Sequence, residues 1–452
     1  MEFQAALAWW HARVDYERKP PRPGELSLDR MRSLLARLGQ PQNRLRIVHI
    51  AGSKGKGSTA AMFAAVGVAS GLRTGLYTSP HLSDVRERIR SNGKPISDSD
   101  LAGALCAVRD AVDPADPPTF FEIGTAAAYW HFANQRVELA VIEVGLGGQY
   151  DATNVCRPAL SVIVSISFEH TAILGNTLAE IAAAKCGIIK AGVPVISGVL
   201  ESEPREVIRR SARERGSPLV EVVPDVGPVR GASPTPINWR YRGASASVSE
   251  EGAVTPARLF AVPPGGDREF ESPLGLIGGH QLANATIVAA GCDVLRQSSV
   301  PIPETAVREG LSAVRWPGRF DVFRGPPLTV LDCAHNAASA RAVVATLHES
   351  FPALPRTLLL ATAADKDAAG MFRQLLPSMS SVILTRFTTS PRATPPLELE
   401  AIARQIRPDL PIFVIDDPNQ ALTVARRQSR LLVICGSVFL AGELRPRLVE
   451  FG

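Results

Sequence analysis

What most constrains the fold is a repeated change of period, in which short apolar runs of strand length alternate with helical stretches along most of the 452 residues. RIVHIAG (46–52), RTGLYTS (73–79), LAVIEVG (139–145), LSVIVSIS (160–167) and VPVISG (193–198) read as buried strands. STAAMFAAVGVASG and TFFEIGTAAAYWHFANQ read as helices between them. Apolar runs without polar alternation need cover on both faces, and a parallel sheet with helices on each side supplies it. The expected class is therefore α/β. Residues 223–275 change character, with Pro, Gly and Ser clusters, and suggest a small antiparallel β insertion or meander. HQLANATIVAAGCDVLRQ (280–297) reads as a helix, and the loop-like SSVPIPE (298–304) follows it. The domain boundary is placed there, giving a first domain over 1–297 and a smaller α/β, Rossmann-like domain over 298–452.

Composition narrows the function classes. The 49 basic and 44 acidic residues are dispersed, without Lys/Arg blocks, so no nucleic-acid partner is indicated. No apolar run approaches the roughly 18 residues of a membrane helix. The N-terminal MEFQAALAWWHARVDYERKPPRP reads as an amphipathic helix ended by prolines, unlike a signal peptide. Cys106, Cys156, Cys186, Cys292, Cys333 and Cys435 are scattered without C-x-x-C pairs, which argues for a reducing, cytoplasmic setting. Seven of the basic residues are lysines (19, 54, 56, 94, 185, 190 and 366) and the rest are arginines. In so Arg-rich a chain, each Lys invites the question of what Arg could not do there.

AGSKGKGST (51–59) follows a strand and opens a helix. Glycines there let successive backbone N–H groups point into one concavity, and the helix N-terminus adds positive potential. Gly52, Gly55, Lys56, Gly57, Ser58 and Thr59 are thus candidates to hold phosphates, although the spacing departs from G-x-x-x-x-G-K-[ST]. Glu143 ends the strand LAVIE, and His170 holds the same relative place on the next strand, VIVSISFEH. Each alone could be a cap or a hydrogen-bonded side chain, but at two adjacent strand ends they favour metal ligation. Lys185 sits in the small, apolar segment TLAEIAAAKCGIIKAG, where desolvation could turn an ammonium into an amine reagent; a snorkelling surface lysine is the plain alternative. Asp332, His335 and Asn336 follow the strand LTVLD, and Trp316-Pro317-Gly318 presents Arg319 in a rigid turn suited to an anion.

These motifs, taken in order, resemble the folylpolyglutamate synthase/dihydrofolate synthase family of Mur-type amide ligases. The resemblance runs over nearly the whole chain: AGSKGKGST, GLYTSPHLSDVRERIRSNGKPIS, TFFE, EVGLGGQYDATN, EHTAILGNTLAEIAAAKCGIIK, HQLANA, WPGRFDVF, LDCAHN, DKD and ICGS. The TSPHL…RERIR segment is the most diagnostic, since muramyl-peptide ligases share the phosphate loop and AHN but not this stretch. The unusual loop spacing is the family's own pattern. The resemblance implies ATP held by Gly55, Lys56, Gly57 and Ser58, with Asn284, Arg319 and Asp332 touching it across a domain cleft and His335 beside them. It implies magnesium, as two ions, on Ser79, Glu143, His170 and Lys185, the last as a carbamate that arginine cannot form. Phe120, Phe121 and Glu122 match the pterin-side segment, and Asp151 lies in the DATN motif on the substrate side.

The implied reaction is ATP-dependent formation of an acyl phosphate on a pteroate or folate carboxylate, then attack by the amine of L-glutamate. Closure of the cleft would exclude water from the acyl phosphate. The acceptor would be dihydropteroate or tetrahydrofolate, and a monomer is the family-like expectation. Departures stand at Lys54, Gln149-Tyr150, Phe168-Glu169, Gly279 and Ala337, and the Gln149 change bears on substrate contacts. Two other readings remain: a related Mur-type ligase with another acceptor, and a non-catalytic ATP-binding paralogue.

Overall fold

The computed structural model describes residues 2–15, 25–225, 237–266 and 268–450. The N-terminal helix covers Phe3–His11, and the prolines expected to end it (Pro20, Pro21 and Pro23) lie outside the described residues. The chain divides into two compact units. One runs to Arg242 and takes in Leu259–Ser272 and Leu282–Val314; the other takes Gly243–Arg258, Pro273–Gln281 and the chain from Arg315 onward.

The strands, in chain order, are β1 (Ile47–Ala51), β2 (Thr74–Tyr77), β3 (Ile89–Ser91), β4 (Lys94–Pro95), β5 (Leu139–Glu143), β6 (Leu160–Ile163), β7 (Val195–Ser197), β8 (Leu219–Pro224) and β9 (Ile237–Ala244). After them come β10 (Ser247–Val248), β11 (Val254–Thr255), β12 (Ala257–Val262) and β13 (Phe270–Leu274). Eleven of these form one mixed sheet in the order β13-β12-β9-β8-β7-β6-β1-β5-β2-β3-β4. Neighbours from β9 to β2 are parallel, while β3 and β4 add antiparallel edges. Every residue of β1, β2, β5 and β6 is buried, as unbroken apolar runs require in a sheet covered on both faces.

Two features differ from the sequence reading. First, β5 and β6 are not adjacent: β1 lies between them and pairs with both. Glu143 and the segment after β6 therefore flank the strand that carries the glycine loop. His170 is not itself a strand end, since it follows β6 by several residues and precedes the short helix Thr171–Leu174. Order in sequence could not reveal a strand inserted between two later ones. Second, β9 joins the large sheet parallel to β8, and β12 and β13 extend that same sheet instead of forming a separate insertion, while β10 and β11 pair antiparallel outside it. The chain between Pro224 and Ile237 is longer than a hairpin uses, which permits a parallel neighbour; residues 226–236 lie outside the described residues.

The helix Lys56–Ala69 packs its small residues closely on the sheet: a Cβ on Gly67 would meet Thr74 Oγ1 at 2.6 Å and Leu139 Cδ2 at 3.1 Å. Helix Glu304–Ala313 lies against the same helix, where Gly310 lets its backbone approach Ala65 and Val66. That contact explains why the chain through Val314 belongs with the first unit.

The second unit holds β14 (Asp321–Phe323), β15 (Leu328–Leu331), β16 (Arg356–Leu360), β17 (Ser381–Leu384), β18 (Ile412–Val414) and β19 (Leu431–Cys435), in the order β14-β15-β19-β16-β17-β18. All neighbours are parallel except β14 with β15. All six cysteines are free, and five of them are buried. Among the described residues no helix is long and apolar enough to cross a membrane.

His49, in the middle of β1, is completely buried, and burial first, then the charge of Lys190, lower its imidazole from the usual value to about 3. Its folded value lies below its unfolded one, so the stability it contributes is present above about pH 6.5 and is lost as pH falls toward 3. Each pH unit within that window is worth about 1.4 kcal/mol for such a group. In urea unfolding between pH 6.5 and 4.5, His49→Gln is therefore expected to lose clearly less stability than wild type; equal slopes would contradict a neutral buried His49.

Candidate functional site

The site in the first unit is built around the carbonyl of Gly52. At the end of β1 the chain turns through Gly52 to Gly55, and Gly55 adopts the left-handed conformation (φ 81°) as the residue preceding helix Lys56–Ala69. Its N-cap residue, Gly55, has no side chain with which to cap the helix, and this helix start is the kind of terminus that receives an anion. Thr59 Oγ1 is buried without a partner at the same helix end. Gly57, Ser58 and Thr59 are all buried.

The loop is fastened to the chain that continues β6. Ser53 N donates to Ser165 O (2.8 Å), Lys54 N to Ser165 Oγ (2.9 Å), and Ser165 Oγ donates back to Lys54 O (2.9 Å). Ser53 Oγ donates to Ser167 O and accepts from Ser167 N. The sequence reading missed Ser165 and Ser167. Their signal was visible, however, as alternating serines at the end of an otherwise apolar strand.

Two lysines converge on Gly52 O: Lys56 Nζ at 3.0 Å and Lys185 Nζ at 3.1 Å. Lys185 is 1% exposed, so the surface-snorkelling alternative fails. Its ammonium also donates to Glu169 Oε1 at 2.7 Å. Burial drives Lys185 down to about 8, against the opposing pull of Glu169. Burial pushes the Glu169 carboxyl up, but Lys185, then Lys56 and Lys54, outweigh it and hold it below the ordinary carboxylate range. Glu169 was noted in the sequence only as a departure, whereas in the structure it is the counter-charge for this lysine cluster.

Across β1, Glu143 is 4% exposed and accepts from Ser79 N at 3.1 Å. The structure thus joins these two candidate metal ligands, and joins Lys185 to the residue before His170. His170 itself is exposed, with φ 46°. Among the described residues no three of His, Cys, Asp and Glu form a group that could hold a metal. The side chains that meet here offer a carboxylate, on Glu143, and a hydroxyl, on the Ser79 whose backbone N–H binds it. That set suits a hard cation that keeps waters and takes its remaining oxygens from a bound phosphate. Asn284, in helix His280–Gln297, lies against the loop, where a Cβ on Gly55 would come 2.8 Å from its Oδ1.

The stretch Gly145–Asn154 lies under the same residues. Gln149 N donates to Ala184 O (2.9 Å), and a Cβ on Gly148 would meet Lys185 O at 2.9 Å. Gly187 faces the backbone of Gln149 closely enough to exclude any side chain. Asp151 is 5% exposed. Its Oδ1 accepts from Thr153 N (3.0 Å) and Thr153 Oγ1 (2.5 Å), and its Oδ2 from Leu146 N (2.8 Å). Burial raises this carboxyl above the usual range against those hydrogen bonds.

Of the pterin-side candidates, Phe121 reaches this loop, its ring filling the space a side chain on Gly145 would need. Phe120 instead stacks on Trp10, with centroids 4.6 Å apart. Glu122 closes a capping box with Thr119 and pairs with Arg30 at 2.8 Å, so its carboxylate is engaged in holding helix Phe120–Asn134.

In the second unit, Asp332 is half-buried after β15 and accepts from Phe320 N (3.0 Å) and Ala334 N (2.8 Å). Burial lifts its carboxyl to about 6, against the nearby Arg319 guanidinium. His335 Nδ1 lies 2.9 Å from Cys333 O, which assigns the proton to Nδ1. Asn336 caps helix Ala337–Ser350. Asp332 and His335 thus lie at one strand end, and the turn carrying Arg319 is fastened beside it by Cys333 N donating to Gly318 O (3.0 Å).

Comparison with known proteins places these features in context. The profile of the Mur ligase middle domain matches residues 50–292, and that of the dihydrofolate synthetase C-terminal domain matches residues 326–448. The dihydrofolate synthase/folylpolyglutamate synthase of Bacillus subtilis (strain 168) is 31% identical over 464 residues, covering 99% of both chains. Folylpolyglutamate synthase of Lacticaseibacillus casei is 33% identical over 432 residues, covering 93% of this chain and 94% of that protein. Among solved structures, Mycobacterium tuberculosis folylpolyglutamate synthase complexed with ADP and AMPPCP superposes with a TM-score of 0.84 at 29% identity, covering 99% of each chain. E. coli FolC in complex with DHPP and ADP gives 0.82 at 25% identity, covering 99% of this chain and 98% of that one.

Gly55 combines a left-handed backbone with a neighbour at 2.8 Å. Gly55→Ala is therefore expected to cost more than about 1 kcal/mol in urea unfolding; unchanged stability would mean that Asn284 and the loop yield freely.

Proposed function

The chain belongs to the folylpolyglutamate synthase/dihydrofolate synthase family of Mur-type ligases, and we infer from this that it is an ATP-dependent ligase joining L-glutamate to the carboxylate of a pteroate or folate. The observation that carries this reading is the convergence of Lys56 and Lys185 on Gly52 O, beside the N-terminus of the helix that follows the loop. In this reading residues 1–297 form the N-terminal ATP-binding part and 298–452 the ligase part, of which 298–314 pack with the first unit.

A carboxylate is a poor acyl donor. Its oxygen attacks the γ-phosphorus of ATP, ADP departs, and an acyl phosphate results. The glutamate amine then attacks the carbonyl carbon, inorganic phosphate leaves, and the nitrogen loses a proton to give the amide. Gly55, Gly57, Ser58 and Thr59 offer backbone and hydroxyl donors to the phosphates, and Gly52 shapes the turn. Lys56 neutralises charge on the transferring phosphoryl group. Asn284, beside Gly55, is placed to contact the nucleotide. In the second unit the proposed nucleotide contacts are Arg319 and Asp332, with His335 next to them.

Magnesium would be held by Ser79, Glu143, His170 and Lys185, and would supply charge neutralisation at the phosphate oxygens. For Lys185 to serve as a ligand, its neutral amine must add to CO2 and lose a proton, gaining two oxygens. A lysine buried at 1% exposure meets the first condition better than a surface one. Phe121 and Asp151 are the proposed acceptor contacts, with Phe120 and Glu122 supporting them from the same helix.

The test is ADP release with ATP and L-glutamate, assayed separately with dihydropteroate and with tetrahydrofolate. Turnover with either acceptor is expected, and its pattern assigns the activity; turnover with neither overturns the reading. Lys185→Arg keeps the charge but cannot form a carbamate, so a loss of at least about 1000-fold in kcat is expected, in line with removal of a group that acts only in the transition state. Wild-type-like turnover in that variant would refute the carbamate.

A further inference from the structure

The reaction just proposed gives no task to His49, although it is buried at the centre of the strand that leads into the phosphate loop. Its ring nitrogens are both engaged. Nε2 lies 2.8 Å from Thr153 Oγ1, and Nδ1 lies 3.9 Å from Cys156 Sγ. The direction of the chain follows from its far end. Thr153 Oγ1 is 2.5 Å from Asp151 Oδ1, and an ionised carboxylate only accepts, so the threonine hydroxyl donates to it. The hydroxyl oxygen must then accept from His49, which places the proton on Nε2. Nδ1 becomes the acceptor for the Cys156 thiol, which burial keeps protonated at neutral pH by pushing it up to about 11.

Donors therefore run one way, from Cys156 S–H to His49, from His49 to Thr153, and from Thr153 to Asp151. Buried chains of this kind polarise and fix their members. Tyr129 adds a further constraint, its hydroxyl donating to Thr153 O at 2.8 Å. At the receiving end, Asp151 ties down the loop through Leu146 N. The other side chains of β1 (Ile47, Val48, Ile50 and Ala51) are apolar and offer the loop no hydrogen bond.

We propose that His49 is a positioning residue for the acceptor: by way of Thr153 it sets the Asp151 carboxylate, and with it the Gly145–Asp151 loop, in the arrangement that receives a pteroate-type ring. This rests on the acceptor role given above to Asp151. It links the two halves of the reaction within one strand, since the backbone that leads to Gly52 also carries the imidazole that steadies the acceptor loop.

The test uses the full chain. His49→Leu removes the donor, His49→Gln restores an N–H near the Nε2 position, and Thr153→Val cuts the relay while leaving His49 in place. His49→Leu and Thr153→Val are each expected to raise KM for the pteroate acceptor at least tenfold, with KM for ATP within twofold. His49→Gln should recover most of the difference, and the Leu/Val double variant should be no worse than either single one. By hydrogen exchange, amides of 145–155 should exchange at least tenfold faster in His49→Leu and Thr153→Val than in wild type and His49→Gln. Equal rises in both KM values, additive effects in the double variant, or unchanged loop protection would each overturn the proposal. If His49→Leu does not fold, Thr153→Val decides by the same readouts. If wild type turns over neither acceptor, the functional reading fails, and the exchange pattern alone then decides whether His49 holds the loop.

Discussion

The first unit depends on one carbonyl group. Gly52 O lies at the end of a fully buried strand, where the ladder no longer supplies a partner, and two lysine ammonium groups take that place. Lys56 comes from the helix that the loop itself opens, and Lys185 from a segment far along the chain. Bringing two cations to one acceptor in a buried setting is costly unless a carboxylate is near, and Glu169 provides it. The loop's conformation, the burial of Lys185 and the position of the segment after β6 thus form one electrostatic arrangement. An anion entering the loop would compete with Glu169 for the same lysines.

Around that arrangement the sheet imposes its own geometry. β1 lies between β5 and β6, so the residues following both strands open on either side of the glycine loop. In parallel sheets of this kind, ligands bind beyond the carboxyl ends where strand order reverses. The candidate residues occupy that position. The second unit repeats the device on a smaller scale, with a half-buried Asp332 just past β15 held by two backbone N–H groups.

Much of this was legible in the sequence. Uninterrupted apolar runs gave the buried strands, and the glycine-rich turn after the first of them located the phosphate loop. The scarcity of lysine drew attention to Lys185, which proved to be among the most deeply buried charged residues. What the sequence withheld was pairing. Nothing in VIVSISFEH says that its serines staple the loop, or that β1 separates it from LAVIE. Phe120, Phe121 and Glu122 are consecutive, yet helical geometry turns only Phe121 toward Gly145, while Phe120 goes to Trp10 and Glu122 to the helix cap. Long-range hydrogen bonds, such as those from His49 to Thr153 and from Lys185 to Glu169, leave no periodicity to read.

The meeting of Gly148 and Gly187 with the opposing backbones of Lys185 and Gln149 has a further consequence. Against helix Leu178–Cys186 and the turn after it the loop is seated by main chain and by missing side chains, while Asp151 anchors its other end; the exposed side chains at 149 and 150 take little part in holding it. Tyr150 is 53% exposed. These two positions can therefore be rewritten without disturbing the frame that presents them, much as a tool head is exchanged on a fixed handle. Gln149 and Tyr150 are thus positions where the side chain can change while the lysine cluster stays untouched.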